Sequence, residues 1–235
     1  APVASADALC SACFRSLRAI TAPLCPVLGL PFEASLGPDA RSAEAIADPP
    51  PFDRARSAVV YNDIARALVG KLKYGDRPEL ARFCARLMAQ AGHELWAPDA
   101  VLVPVPLHRA RLFSRRYNQS TELARALGRI TGLPVDAALV VRRKNTPHQV
   151  GLSGDARRRN VAGAFAHHPD SLNRLRGRRV VLVDDVITTG ATVKAVTRAL
   201  KSGGAEHVDV VSFARVVTGS DACPMGDLRI NRPPR

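Results

Sequence analysis

Several features that would simplify a functional reading are scarce or missing in this 235-residue chain. It has no uninterrupted apolar run near the roughly 18 residues a membrane helix requires, since its longest runs are broken by Pro or Asp. A membrane-spanning role is therefore not expected. The N-terminus shows no basic stretch leading into an apolar segment and a small-residue cleavage site, so a secretory signal is not expected either. Cysteines number five, an odd count at uneven spacing, which does not suit a disulfide framework and makes a reducing cytoplasm the expected setting. Aromatics make up only 5% of the residues, too few for a surface built on base stacking. Acidic residues are also in short supply: 21 against 34 Lys and Arg, a net charge of +13, which favours anionic partners such as phosphates or nucleic acid. The excess is concentrated. Between Arg109 and Arg159 twelve basic residues face three acids.

At 46% hydrophobic composition the chain has enough material for one substantial core with a small appendage. Residues 1–57 show weak periodicity, many Ala and Pro, and three of the cysteines, and read as an irregular N-terminal appendage. Residues 58–217 read as the main domain, and 218–235, ending in Asn231-Arg-Pro-Pro-Arg235, as a disordered tail. Within the main domain Tyr61, Ile64, Leu68 and Leu72 form one helical stripe, and Leu80, Phe83, Cys84, Leu87, Met88 and Ala91 another, joined at Gly75–Pro78. Cys84 then belongs to a buried face as an inert thiol. Ala100–Pro106 suits a buried strand followed by a basic loop. Leu123, Leu127 and Ile130 mark a helix that Gly132 and Pro134 end, and residues 137–142 a short strand. Residues 143–160 have no period and form a long polar loop, of the kind that usually carries function. Val180–Val183 is a β-branched run suited to a buried parallel strand, Val193, Val196 and Leu200 space a helix closed by Gly203, and residues 208–216 form a last strand. Strands alternating with helices predict an α/β domain with a mainly parallel sheet.

The segment with most chemical content is Val180-Val-Leu-Val-Asp-Asp-Val-Ile-Thr-Thr-Gly-Ala-Thr192. A parallel sheet binds ligands beyond the carboxyl ends of its strands, so Asp184 and Asp185 are expected where a ligand sits. Carboxylates there can accept hydrogen bonds from a ribose diol or favour a nearby Mg²⁺. Thr188, Thr189, Gly190, Ala191 and Thr192 follow as a hydroxyl-rich turn at a helix N-terminus, a phosphate cradle in which Gly190 lets the backbone come close. A diol and a phosphate held a few residues apart describe a ribose 5-phosphate.

This stretch closely resembles the 13-residue signature of the phosphoribosyltransferases. That resemblance implies a type I phosphoribosyltransferase fold, with Asp184 and Asp185 on the ribose and Thr188–Thr192 around the 5-phosphate of phosphoribosyl pyrophosphate. It also implies Mg²⁺ held chiefly by the ligand's own oxygens, indirectly near Asp184 and Asp185. Further segments narrow it. Leu72-Lys-Tyr-Gly-Asp76, Pro104-Val-Pro-Leu-His-Arg109, Arg115-Arg-Tyr-Asn-Gln119, Gln149-Val-Gly-Leu-Ser153 and Arg159-Asn-Val-Ala-Gly-Ala-Phe165 resemble, in order and spacing, the ComF family, over roughly residues 8–216. That family is named for natural competence, the uptake of external DNA.

By the same resemblance His108 and Arg109, with Arg115 and Arg116 close behind, are expected to meet the pyrophosphate, and residues 142–160 to act as a mobile flap. Tyr117, Asn118 and Gln119 remain open between capping, packing and contact with a base; Lys73 and Tyr74 between a solvated helix end and a ligand contact. ComF relatives carry paired zinc-binding cysteines. Here Cys10 and Cys13 form one pair, but Cys25 has Leu28 where its mate is expected, and Ser42 and Ala45 stand where a further pair often occurs. Cys10, Cys13 and Cys25 are one ligand short of a structural zinc site, so zinc is not expected. No residue presents itself as a general base. Two functions stay open: an enzyme transferring a phosphoribosyl group to an unknown acceptor, or a non-catalytic sugar-phosphate or nucleotide module engaging single-stranded DNA or DNA-processing proteins.

Overall fold

A computed structural model describes residues 9–37, 39–74, 79–144 and 163–217. The expected loop at residues 143–160 and the tail from Thr218 fall almost wholly outside these, as does the joint at Gly75–Pro78. In chain order the elements are α1 (Ser11–Arg15), α2 (Ala43–Ala47), β1 (Arg54–Val60), α3 (Asp63–Tyr74), α4 (Leu80–Ala91), β2 (Ala100–Pro104), α5 (Arg109–Arg115), α6 (Gln119–Thr131), β3 (Val140–Arg142), β4 (Phe165–His167), α7 (Ser171–Leu175), β5 (Arg179–Ile187), α8 (Ala191–Ser202) and β6 (His207–Arg215). Among the described residues no helix is long and apolar enough to cross a membrane.

Four strands form an all-parallel sheet in the order β1-β6-β5-β2, with β5 and β6 central, and β3 and β4 pair antiparallel as a separate ribbon. The buried β-branched runs of β5 and β6 explain the centre, because alternate residues feed two apolar layers. Val181, Val183, Val211 and Phe213 pack with α3, α4 and α6. Val180, Leu182, Val208 and Val210 pack on the opposite face with α8. A central parallel strand needs apolar residues on both faces, and that is the pattern here. Local signals end the helices where expected: Asn118 Oδ1 accepts from Ser120 N at 3.1 Å to open α6, and Gly132 closes it with φ 76°.

Three differences from the sequence reading have physical causes. The segment after Pro106 is not a loop throughout, because Arg109–Arg115 forms α5. Strand β5 runs on through the acid pair to Ile187. The sheet also begins inside the segment assigned to the appendage, since β1 starts at Arg54 and pairs with β6. The appendage covers that edge strand, which would otherwise expose unpaired backbone groups. Ile20 N donates to Ala58 O, Val60 N to Arg18 O, and Ala55 N to Val27 O, at 2.8–3.0 Å. Gly29 is required at this seam. Its φ is +64°, and a Cβ there would sit 2.3 Å from the Ala55 carbonyl oxygen. Buried cations of the main domain complete the join: Arg56 donates to Pro26 O, Arg215 to Leu28 O, and Lys194 to Asp48 Oδ2.

The three N-terminal cysteines are not gathered. Cys10 and Cys13 lie at α1, which stacks Phe14 edge-on against Phe83 of α4. Cys25 is buried with the core on the other face of the sheet. Its Sγ accepts from Leu28 N, Ser42 N and Ser42 Oγ at 3.4–3.5 Å. Burial alone would raise the Cys25 thiol, but these donors outweigh it and its pKa lies below the ordinary value. Among the described residues no three His, Cys, Asp or Glu side chains are placed to share a metal ion. Cys84 is fully buried and its thiol is pushed up by burial, as befits an inert core residue.

Candidate functional site

The position of the acid pair follows from unequal strand lengths. Pairing of β2 with β5 stops at Pro104 opposite Val183, whereas β5 continues against β6 through Asp184 opposite Ser212 to Ile187 opposite Arg215. Asp184 and Asp185 therefore lie where β2 has turned away. A cavity of about 390 Å³ opens there, lined by the acids, Ser120, Thr192, Lys73, Tyr74, Arg111, Arg115 and Arg142. The C-terminal turn of α3, the short α5, the start of α6 and the β3 ribbon all converge on it.

Both acids are buried, Asp184 at 6% exposure and Asp185 at 4%. Asp184 Oδ1 accepts from Asp185 N at 2.9 Å and Ser120 Oγ at 3.2 Å, and Asp185 Oδ1 accepts from Val186 N at 3.0 Å. Lys73 Nζ stands 2.6 Å from Asp185 Oδ2. Burial first and the neighbouring Asp185 charge second push the Asp184 carboxyl up to about 8, so at neutral pH it tends to keep its proton. Burial would lower the Lys73 ammonium, but its pairing with Asp185 prevails and the net direction is up. Opposite lies a positive wall. Arg142 is pulled down to about 10 by burial and by Arg111, and Arg111 is lowered by burial and by Arg115. Guanidiniums crowded against one another in this way are suited to receiving a multiply charged anion.

The phosphate-cradle residues lie directly beyond the strand. Gly190 precedes α8 with φ 72°, and a Cβ there would meet only ordinary contacts, so the backbone angle rather than crowding calls for glycine. Thr192 reaches the cavity lining; Thr188, Thr189 and Gly190 form the bend between β5 and α8, and Ala191 opens the helix. Of the four residues expected at a pyrophosphate, Arg115 alone lines the acid cavity. His108, Arg109 and Arg116 line a second cavity of about 810 Å³ that shares Leu107 and Arg142 with the first. The reason is helical phase. In α5 Arg111 and Arg115 are four apart on one face, whereas Arg109 and Leu112 share another, and Arg116 follows the helix as its left-handed C-cap.

Lys73 and Tyr74, open between a solvated helix end and a ligand contact, line the acid cavity. Arg115 lies over the Tyr74 ring, 4.7 Å from its centroid, and donates to the Tyr74 hydroxyl at 2.8 Å. The Tyr117-Asn118-Gln119 segment makes capping and packing contacts and also lines the two cavities. Tyr117 Oη donates to Leu72 O, Asn118 Nδ2 donates to Val105 O at 2.9 Å while its Oδ1 caps α6, and buried Gln119 accepts from Arg115 at 3.4 Å. Arg111 and Ser120 were missed by the sequence reading, and Arg142 entered it only as the first residue of the expected flap. A helical reading of residues 109–115 exposes Arg111 through its four-residue spacing from Arg115; Ser120 has no local signal.

The comparisons with known proteins agree with this architecture. A family model described as the phosphoribosyl transferase domain matches residues 72–222. The DNA utilization protein YhgH of Salmonella typhimurium is 34% identical over 215 residues, spanning 89% of this chain and 91% of its own. Competence protein F of Haemophilus influenzae is 32% identical over 217 residues, with the same shares. Among solved structures, adenine phosphoribosyltransferase from Rhodothermus marinus is similar with a TM-score of 0.36 at 20% identity, across 59% of this chain and 68% of that one. The family model and the two relatives identify the chain as a member of the phosphoribosyltransferase domain family, of type I fold and of the ComF group.

Proposed function

We propose that the acid cavity binds phosphoribosyl pyrophosphate with Mg²⁺ and transfers the phosphoribosyl group to an acceptor. The observation that carries this reading is one cavity that brings together a buried acid pair, Thr192 from the first turn of α8 and a wall of Lys73, Arg111, Arg115 and Arg142, with the Gly190 turn adjacent to Thr192 in the chain. Asp184 and Asp185 would receive the ribose hydroxyls, the 188–192 turn the 5-phosphate, and the guanidiniums the pyrophosphate. In the reaction the bond from ribose C1 to the pyrophosphate oxygen breaks with its electron pair leaving on pyrophosphate, and the acceptor's lone pair forms the new bond to C1. Arginines fixed before the reaction would stabilise charge as it builds on the leaving group.

Asp185 is matched by the Lys73 ammonium 2.6 Å away and Asp184 resists ionising, so the acid pair offers one ion-paired and one largely neutral carboxyl to the ligand's hydroxyls. Mg²⁺, held mainly by ligand oxygens and reached by Asp184 and Asp185, would supply further charge neutralisation. Calorimetry with phosphoribosyl pyrophosphate and Mg²⁺ tests the reading. Binding is expected in the parent protein and lost in Asp184→Asn/Asp185→Asn; equal affinity in both would overturn the ribose assignment. Pyrophosphate release with a panel of bases and amines then tests turnover.

A second reading is favoured by the basic surface and by the names of the relatives, which speak of DNA utilization and competence. The same pocket would then act as a sensor, in a protein engaging single-stranded DNA or a DNA-processing partner. DNA affinity that falls steeply with salt supports it, and no binding even at low salt removes its direct form.

A further inference from the structure

The larger cavity is not used by the ribose and phosphate assignments. Its floor is apolar, made by Pro104, Pro106, Leu107 and Val140. Its rim is cationic: Arg109, Arg116 and Arg143 line it beside Arg142, and among the described residues the lining's one carboxylate, Glu122, is held 2.7 Å from Arg125. Such a charge balance asks for an anion. The volume, about 810 Å³, lies in the range of sites for drug-sized ligands and far exceeds a lone phosphate. An apolar floor suits a flat heterocycle better than a sugar, whose hydroxyls would lack partners there.

The walls are built rather than incidental. Asn118 ties the end of β2 to α6 with both ends of its amide. Arg142 is buried and lies against the Phe165 ring, 5.1 Å from its centroid. Arg116 has φ 64°, the one positive φ of a non-glycine among the described residues. Side chains other than glycine hold that conformation at a cost, and such strain concentrates at ligand sites.

The geometry points to a second ligand site in this cavity, for a nucleoside phosphate whose heterocycle lies on the Pro104–Leu107 floor and whose phosphate meets Arg109, Arg116 and Arg143. The same chemistry is presented by a free nucleotide and by the 5′-phosphorylated end of a DNA strand. Because the two cavities share Leu107 and Arg142, the site is where a second reactant would be seated; that extension rests on the transfer reading, and the binding itself does not.

The test uses 5′-AMP, inorganic phosphate, and a deoxyadenosine 12-mer with and without a 5′-phosphate. Hydrogen exchange of the full chain is expected to slow at residues 104–109 and 137–143 with 5′-AMP. Slowing confined to 184–192 would place the nucleotide in the first cavity and overturn the proposal. In the Asp184→Asn/Asp185→Asn background 5′-AMP affinity should persist, and adding Arg116→Asn with Arg143→Gln should lower it at least tenfold. Asn tolerates the left-handed backbone and both arginines are exposed, so the fold is retained. Unchanged affinity overturns the proposal, and so does inorganic phosphate binding as tightly as 5′-AMP. Competition by the phosphorylated strand but not its unphosphorylated form assigns the site to DNA ends; competition by neither assigns it to free nucleotides. Loss of phosphoribosyl pyrophosphate binding in the calorimetric test would leave all these outcomes standing.

Discussion

Asp184→Asn should stabilise the fold while weakening ligand binding, and the effect should depend on pH in a definite direction. The carboxyl of Asp184 is held near 8 in the folded protein by burial and by Asp185, against about 4 in an unfolded chain. A carboxyl raised in this way is neutral in both states at low pH. As pH climbs from about 4 to about 8 the unfolded chain releases the proton first, so the fold loses stability across that window. The distance between the two values sets a ceiling of roughly 5 kcal/mol at pH 8. Relaxation around the coupled Asp185 and Lys73 leaves a smaller gain, about 2 kcal/mol, for the amide. The Asn oxygen can still accept from Ser120 Oγ and Asp185 N, so the local hydrogen bonds survive. In a 235-residue chain that corresponds to a rise in melting temperature of roughly 4–8 °C at pH 8, shrinking toward zero at pH 4–5. Thermal melts of both proteins across that pH range measure it. A variant less stable than the parent at pH 8, with the deficit growing as pH rises, would refute the reasoning, because it would mean that Asp184 is ionised and well paired.

Other expectations follow from the same geometry. Gly29→Ala combines a left-handed backbone with a Cβ driven into the Ala55 carbonyl; chemical denaturation should show a loss of about 3 kcal/mol as the appendage withdraws from β1. Arg142→Gln, or Arg111→Gln, should weaken phosphoribosyl pyrophosphate binding by about tenfold or more while leaving ribose 5-phosphate nearly unaffected, a contrast that calorimetry with both ligands resolves. Gly190→Ala should cost about 1 kcal/mol in stability, read from denaturant midpoints, and should weaken both ligands alike because the 5-phosphate is common to them. Lys73→Met leaves Asp185 buried without its ammonium, and melts at pH 8 should show a loss of about 3 kcal/mol.

Much of this protein is readable from short stretches of sequence because the responsible physics is local. The apolar β-branched run before Asp184 specifies a strand buried on both faces, and the glycine turn specifies a positive φ and a helix start. The stripes at 61–72 and 80–91 appear as α3 and α4, with Tyr61 just before the start of α3. The fold class and the half of the candidate site made by the acid pair and the following turn depend on these alone. Helix α5 was less legible, since its apolar residues, Leu112 and Phe113, are exposed and leave no buried stripe to detect.

What required the tertiary structure is everything decided by which faces meet. Lys73 and Asp185 are 112 positions apart, and only the packing of α3 beside β5 brings them to 2.6 Å. The phase of α5 divides its arginines between two cavities, a distinction that charge counting between Arg109 and Arg159 cannot make. The shorter reach of β2 relative to β5 opens the acid cavity, and register of that kind depends on pairing across the sheet. Sequence alone thus determined the strand, the acid pair and the turn that follows it, because each is set by neighbours within a few residues. The positive wall opposite them, the split between two cavities and the separation of Cys25 from Cys10 and Cys13 were decided only when distant segments were packed against one another.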